Sequence, residues 1–394
     1  LNTAISGKML NPLLLYTGLI FGISLTIISP ILIEVSDFIN APLDSMGMIM
    51  SAFSIGFILS AFSNTLLGKY RIRKKVFLVS TFILSVSVLS VIYAPNLAVL
   101  AILFFMMGIC GGFIETTVSL SIIDANRGNE GLYLNLSQAL IGLGAFLGPF
   151  LSTLSTYLGF GWRSSFILLA VLCFIGFVLY FFTGVPESEA GEDNLLSGSF
   201  KKIRFDLRSI IVLLLFLAIF FYVNIELGIN SWIPTFLRLE KQFSFFYAGN
   251  AISYFWLCLT GGRIIIGFIS KRVNIGLIIL VLSFLSMITT ALSIYLDGRL
   301  IITIMVAATG LFLSSIHPLI LTLGTINYPR YKDFLVPLLI MVGGAGGISA
   351  PWLIGLVFKV YDLSSGINLI LVFQAIVFIS IMTFLIAKRF KKVI

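Results

Sequence analysis

The feature that most constrains this chain is a succession of apolar stretches, each long enough to cross a bilayer and set off from the next by a few charged, Pro, Gly or Asn residues. A membrane-crossing helix needs about 20 mostly apolar residues. Stretches of that size fall at 11–33, 46–67, 75–94, 97–122, 133–157 and 163–185, then at 209–233, 245–269, 274–296, 299–325, 334–358 and 365–387. Within lipid a helix satisfies its own backbone polar groups, so these stretches predict an all-α integral membrane protein of twelve transmembrane helices. Composition points the same way. Of the residues 59% are hydrophobic and only 10% charged, with mean hydropathy +1.11. A soluble domain carries about 25% charged residues, and a disordered chain needs low hydrophobicity; both classes are excluded.

The spans form two groups of six. Between them runs the longest hydrophilic segment, acidic first and basic later, which divides the chain into an N-terminal six-helix bundle (1–186), a linker (187–208) and a C-terminal six-helix bundle (209–394). The halves also repeat. Gly68-Lys69-Tyr70-Arg71 after the second span has a counterpart in Gly267 to Arg272 after the eighth. The fifth and eleventh spans each hold a glycine cluster closing on proline: Gly142, Gly144 and Gly148-Pro149, against Gly343, Gly344, Gly346, Gly347 and Pro351. Two similar six-helix halves are the plan of a transporter that rocks between two states.

A net charge of +9 invites a nucleic-acid reading, but the position of the charges decides otherwise. With the N-terminus placed in the cytoplasm, 19 of the 25 Lys and Arg residues fall in cytoplasmic segments and five outside, with Arg263 left within a span. Lys and Arg gather on the cytoplasmic side of membrane proteins, so both termini are expected inside a cell membrane and no nucleic-acid partner is expected. The three cysteines lie far apart in apolar runs, and His317 is the sole histidine. No metal or cofactor site is legible in that set. A polytopic membrane enzyme needs an acid–base or metal constellation that this sequence does not display, and no charged ring or filter-like repeat suggests a channel.

Several segments resemble the major facilitator superfamily and, within it, the fucose permease group of sugar–proton symporters. The basic turn after the second span is a degraded version of the signature loop Gly-x-Leu-Ala-Asp-Arg-x-Gly-Arg-Lys. Gly111-Gly112-Phe113-Ile114-Glu115-Thr116 resembles a GxxET stretch of helix four. Leu134-Asn135-Leu136-Ser137-Gln138 with Gly144-Ala145 resembles an LNLxQ…GA stretch of helix five, and Phe312 to Pro318 an FMSIxxP stretch of helix ten. Tyr222 to Trp232 sits where the group has a polar helix seven. The resemblance implies a monosaccharide substrate and a proton handled by carboxylates on helices one and four. Glu115 holds the helix-four place, whereas Thr26 stands where the helix-one acid is expected.

Candidate site residues follow from the cost of polarity at membrane depth, at least about 2.5 kcal/mol for a carboxylate near a helix centre. Glu115, on one face with Gly108, Gly111, Gly112 and Ser119, is the candidate for proton coupling; the alternative is a structural glutamate bonded between helices. Candidates for substrate binding are Asn135 and Gln138 on one face of helix five, Tyr222, Glu226 and Asn230 at four-residue steps on helix seven, and Thr26, Asn250 and His317. Amides and hydroxyls both donate and accept, which suits a sugar, yet each of these side chains could equally hold two helices together. Gly68, Arg71, Arg73, Lys74, Lys271 and Arg272 belong to the cytoplasmic loops. Arg263 is grouped with them, as a side chain expected to snorkel toward the interface or hold a gate.

No Lys or Arg lies at the middle of a span, which argues against an anionic substrate. The expectation is a monomeric transporter of a small neutral polyhydroxylated solute, working by alternating access as a proton symporter or a uniporter. An exporter of lipophilic cations is the alternative. The topology is directly testable. In a protein otherwise free of cysteine, Asp297→Cys is expected to react with a membrane-impermeant maleimide added to intact cells, and Asp193→Cys only after lysis. The reverse pattern overturns the orientation.

Overall fold

The computed structural model describes residues 2–67, 73–126, 130–182, 210–270 and 272–391. The helices of the first half are α1 (Asn2–Thr26), the short α2 (Leu32–Phe38), α3 (Gly47–Leu67), α4 (Arg73–Ser90), α5 (Leu97–Ala125), α6 (Glu130–Tyr157) and α7 (Trp162–Phe182). Those of the second are α8 (Ile210–Leu239), α9 (Phe245–Ile269), α10 (Ile275–Tyr295), α11 (Arg299–Leu313), α12 (Ile316–Asn327), α13 (Lys332–Val360) and α14 (Leu363–Lys391). Among the described residues, twelve helical segments are long and apolar enough to cross a membrane, and each overlaps one of the twelve stretches read from the sequence. The structure is all-helical there, as expected.

Two spans depart from a single continuous helix, each at a proline. Proline has no N–H for the carbonyl four residues earlier. Pro30 leaves the Thr26 carbonyl without its helical donor; α1 ends there, and a 3-10 turn (Ser29–Ile31) leads into α2. Pro318 does the same to the Ser314 carbonyl, and the tenth span breaks into α11 and α12 at Ser314–Ser315. Pro149 instead stays within α6, where the Ala145 carbonyl accepts a hydrogen bond from Thr26 Oγ1 on α1 at 3.0 Å. Helix starts are capped where a polar residue precedes them. Asn96 accepts from the Val99 N–H at 3.0 Å, Asn274 from Leu277 at 3.2 Å, and Asp362 from Ser365 at 2.6 Å. The last contact holds the Asp362 carboxyl below its usual range, because the backbone N–H favours the charged form.

Contacts divide the chain into two compact units: Leu1–Glu192 with Gln242–Ser253, and Asp193–Lys241 with Tyr254–Ile394. Each unit is sewn by glycine. In the first, a Cβ on Gly108 of α5 would strike the Phe53 carbonyl of α3, and one on Gly144 of α6 the Leu19 carbonyl of α1. In the second, Gly310 of α11 stands in the same way against the Phe255 carbonyl of α9, and Gly346 of α13 against the Phe220 carbonyl of α8. The glycines Gly108 and Gly144 are each displaced by 202 residues from Gly310 and Gly346, so the internal repeat is a repeat of helix seams. Such backbone approach is how transmembrane helices gain packing and weak Cα–H···O contacts where no hydrophobic effect drives them together. Outward faces carry large exposed apolar side chains such as Val79, Phe174, Ile264 and Leu300, as lipid requires.

Filling a seam is therefore disruptive. Gly144→Leu and Gly310→Leu are each expected to lower the apparent melting temperature of detergent-solubilised protein, by a destabilisation of about 1–3 kcal/mol or more. Gly261→Ala, where an added Cβ meets nothing within 4 Å, is expected to leave it unchanged or raise it. Equal behaviour of the three variants overturns the seam.

Candidate functional site

In the first unit, α5 and α6 place Glu115 and Gln138 side by side. Gln138 Nε2 donates to Glu115 Oε1 at 3.4 Å. Glu115 is half-buried, and Gln138 and its neighbour Asn135 are exposed. This is an accessible group of acceptors and donors on a polar face, held by helices whose backs are packed. Asn250, at the start of α9 but within the first unit, is buried and accepts from Thr153 Oγ1 of α6 at 3.4 Å. Thr26 is wholly buried and bonded to the Gly22 and Ala145 carbonyls. Its hydroxyl tethers α1 to α6, a packing role that departs from the substrate contact expected of it.

In the second unit, Tyr222 and Glu226 of α8, Arg263 of α9 and His317 of α12 converge. The Tyr222 and His317 rings lie 5.7 Å apart between centroids. Arg263 acts electrostatically on Glu226, Tyr222 and His317 alike. Glu226, Arg263 and His317 are partly exposed, whereas Tyr222 is buried beneath them and its hydroxyl makes no hydrogen bond within the protein. Asn230, one turn farther along α8, is fully buried, with Oδ1 accepting from Trp256 Nε1 of α9 at 2.9 Å. That contact makes Asn230 an interhelical link rather than the sugar ligand its spacing suggests. Asn224 is committed likewise, with Ser349 Oγ donating to its Oδ1 at 2.9 Å.

Arg263 does not follow the course expected from sequence. Its Nε donates to the Ser314 carbonyl at 3.2 Å, the carbonyl that Pro318 leaves without a helical donor. The guanidinium is thus turned into the unit, toward a carboxylate near the middle of α8. No local spacing announces this, because Glu226 and Arg263 are on different helices; the available signal in the sequence is that two opposite charges in one apolar half rarely stay apart.

Among the loop candidates, Lys74 Nζ donates to the Phe181 carbonyl at 3.4 Å, Arg73 opens α4, and Arg272 is exposed after α9. Gly68, Arg71 and Lys271 lie outside the described residues.

A family model described as the Major Facilitator Superfamily matches residues 14–351. The chain belongs to that superfamily. It is a membrane transporter by family, not a member of an enzyme family. Among curated proteins it resembles a "Protein TsgA homolog" of Buchnera aphidicola subsp. Schizaphis graminum, at 22% identity over 338 residues, 85% of this chain and 82% of the relative. Among solved structures it is similar to the nucleoside transporter NupG, with TM-score 0.75 and 14% identity over 96% of this chain and 98% of that one. It is similar also to a single-residue variant of the E. coli fucose:proton symporter, FucP, with TM-score 0.61 and 16% identity over 96% and 99%. At such identities these structures establish the fold alone. That fold is the one expected from the sequence motifs.

If Glu226 and Arg263 compensate each other, neutralising one is worse than neutralising both. Glu226→Gln and Arg263→Gln are each expected to lower the melting midpoint, and the double variant to fall short of their sum by a coupling on the order of 1 kcal/mol. Strict additivity removes the pair.

Proposed function

We propose that this protein carries a small neutral polyhydroxylated solute, of the monosaccharide class, across a cell membrane by alternating access as a monomer, with both termini in the cytoplasm and with proton coupling through Glu115. The observation that carries the reading is the Glu115–Gln138 contact on an accessible face of the first unit. A carboxyl beside an amide offers a sugar hydroxyl both an acceptor and a donor. The carboxyl can also take up a proton without leaving an unpaired group behind. The second unit adds a charge argument: the one guanidinium inside its described helices stands beside a carboxylate, so it presents no uncompensated cation to attract an anion. Two of the structurally similar proteins, a fucose:proton symporter and a nucleoside transporter, are named for polyhydroxylated solutes and support the class.

Uptake of radiolabelled L-fucose, D-xylose and uridine into proteoliposomes, with and without an inward proton gradient, tests this. One of the sugars is expected to accumulate only when the gradient is present. Glu115→Gln is expected to abolish accumulation while exchange of solute across the membrane continues. Gradient-independent uptake overturns the symport, and transport of uridine without either sugar overturns the monosaccharide class.

A further inference from the structure

Proton handling assigned to Glu115 leaves the second unit's charges unexplained, and they are few. Within the described membrane helices of that unit, away from their ends, Glu226 is the one carboxylate, Arg263 the one guanidinium and His317 the one imidazole. All three stand together, although they come from three different helices. The elements packed on α8 add nothing else that titrates beside them. α13 carries no ionisable side chain between Asp333 and Lys359, α14 none before Lys388, and α12 only His317. From α9 come Arg263 and, farther toward its start, Cys258, Tyr254 and Tyr247; α8 itself supplies Tyr222.

A pair serving only to cancel charge is best fully buried with every polar atom bonded. This cluster is neither. Glu226, Arg263 and His317 remain partly exposed, and the Tyr222 hydroxyl, in a residue of zero exposure, makes no hydrogen bond within the protein although Glu226 and Arg263 are close enough to act on it. An unbonded buried hydroxyl is costly and points to a partner that comes and goes. Arg263 is meanwhile anchored through Nε to the Ser314 carbonyl, so its charge keeps its place when its neighbour changes. Finally, His317 stands 202 residues after Glu115, the displacement that relates the glycine seams; the repeat therefore places an ionisable group at the same point of each unit.

We propose that Glu226, held between Tyr222 and the anchored Arg263 and faced by His317, is a second proton-binding site of the transporter, distinct from Glu115. The proton arrives from water on one side and bonds to a carboxylate oxygen of Glu226. The cluster then changes from a compensated pair to a single positive charge on Arg263, and the neutral carboxyl gains an O–H. Release of that proton to water on the other side restores the pair. This rests on the proton-coupled reading above, but its first test needs no solute.

In lipid-reconstituted protein followed by infrared spectroscopy, raising the pH is expected to remove a protonated-carboxyl C=O absorption. That component should be absent from Glu226→Gln, present in Glu115→Gln, and displaced in midpoint by Arg263→Gln. The same titrating component in wild type and Glu226→Gln overturns the site, as does a wild-type protein whose only titrating component is the one lost in Glu115→Gln. If Glu226→Gln fails to fold, Glu226→Gln with Arg263→Gln, neutral as a pair, carries the same comparison. In the uptake assay, Glu226→Gln is expected to lose gradient-driven accumulation and keep exchange; undiminished accumulation overturns the coupling role. If neither sugar nor uridine is carried, the solute reading falls and the titration alone decides the proton site.

Discussion

A carbonyl inside a membrane has no water to bond when its helical partner is missing, and much of this structure follows from where that happens. Two prolines each free one carbonyl, and each carbonyl is taken by a side chain from another helix. Pro149 frees Ala145, which accepts from Thr26; Pro318 frees Ser314, which accepts from Arg263. The first bond draws α1 against α6 along a seam already opened by Gly22 and Gly144. The second turns a guanidinium inward, so that the second unit gains a charged interior in place of a basic residue at its edge.

The two polar clusters differ in kind. Around Glu115 the contact is an amide on an accessible face, suited to exchanging partners with a hydroxylated solute. Around Glu226 the contacts are ionic and aromatic, above a buried phenol. A transporter coupled to an ion must bind two things whose occupancies depend on each other, and coupling of that kind is a difference in free energy between states rather than a property of one residue. Separate carboxylates in separate helix bundles provide the means for such a difference.

The helices are largely legible in the sequence because lipid makes hydropathy an almost sufficient signal: the twelve stretches and the twelve segments overlap throughout. Their interruptions are less so. By hydropathy Pro318 belongs to a continuous span, since a proline within a membrane helix can either break it or pass through it, as Pro149 does, and the choice depends on which donor is at hand. At the sites, sequence periodicity identifies faces but not neighbours. Tyr222, Glu226 and Asn230 do follow one another at four-residue steps, yet Asn230 is sealed against Trp256 while Glu226 meets Arg263. Those partners come from α9, and nothing in the spacing along α8 can foresee them. The role of Thr26 escapes the sequence for the same reason: its partner is a carbonyl made available by a proline 123 residues on.

The constant displacement between the glycine seams has a consequence for how the halves came to differ. Phe53 and Phe255, Gly108 and Gly310, and Gly144 and Gly346 keep one register across three pairs of helices, and Leu19 and Phe220 depart from it by a single residue. Insertions or deletions between these points would have slid a side chain into a gap that admits only hydrogen. Divergence was therefore confined to substitution, and Glu115 and His317, at one register in opposite halves, record it: an acid and a base have come to occupy what is geometrically the same address.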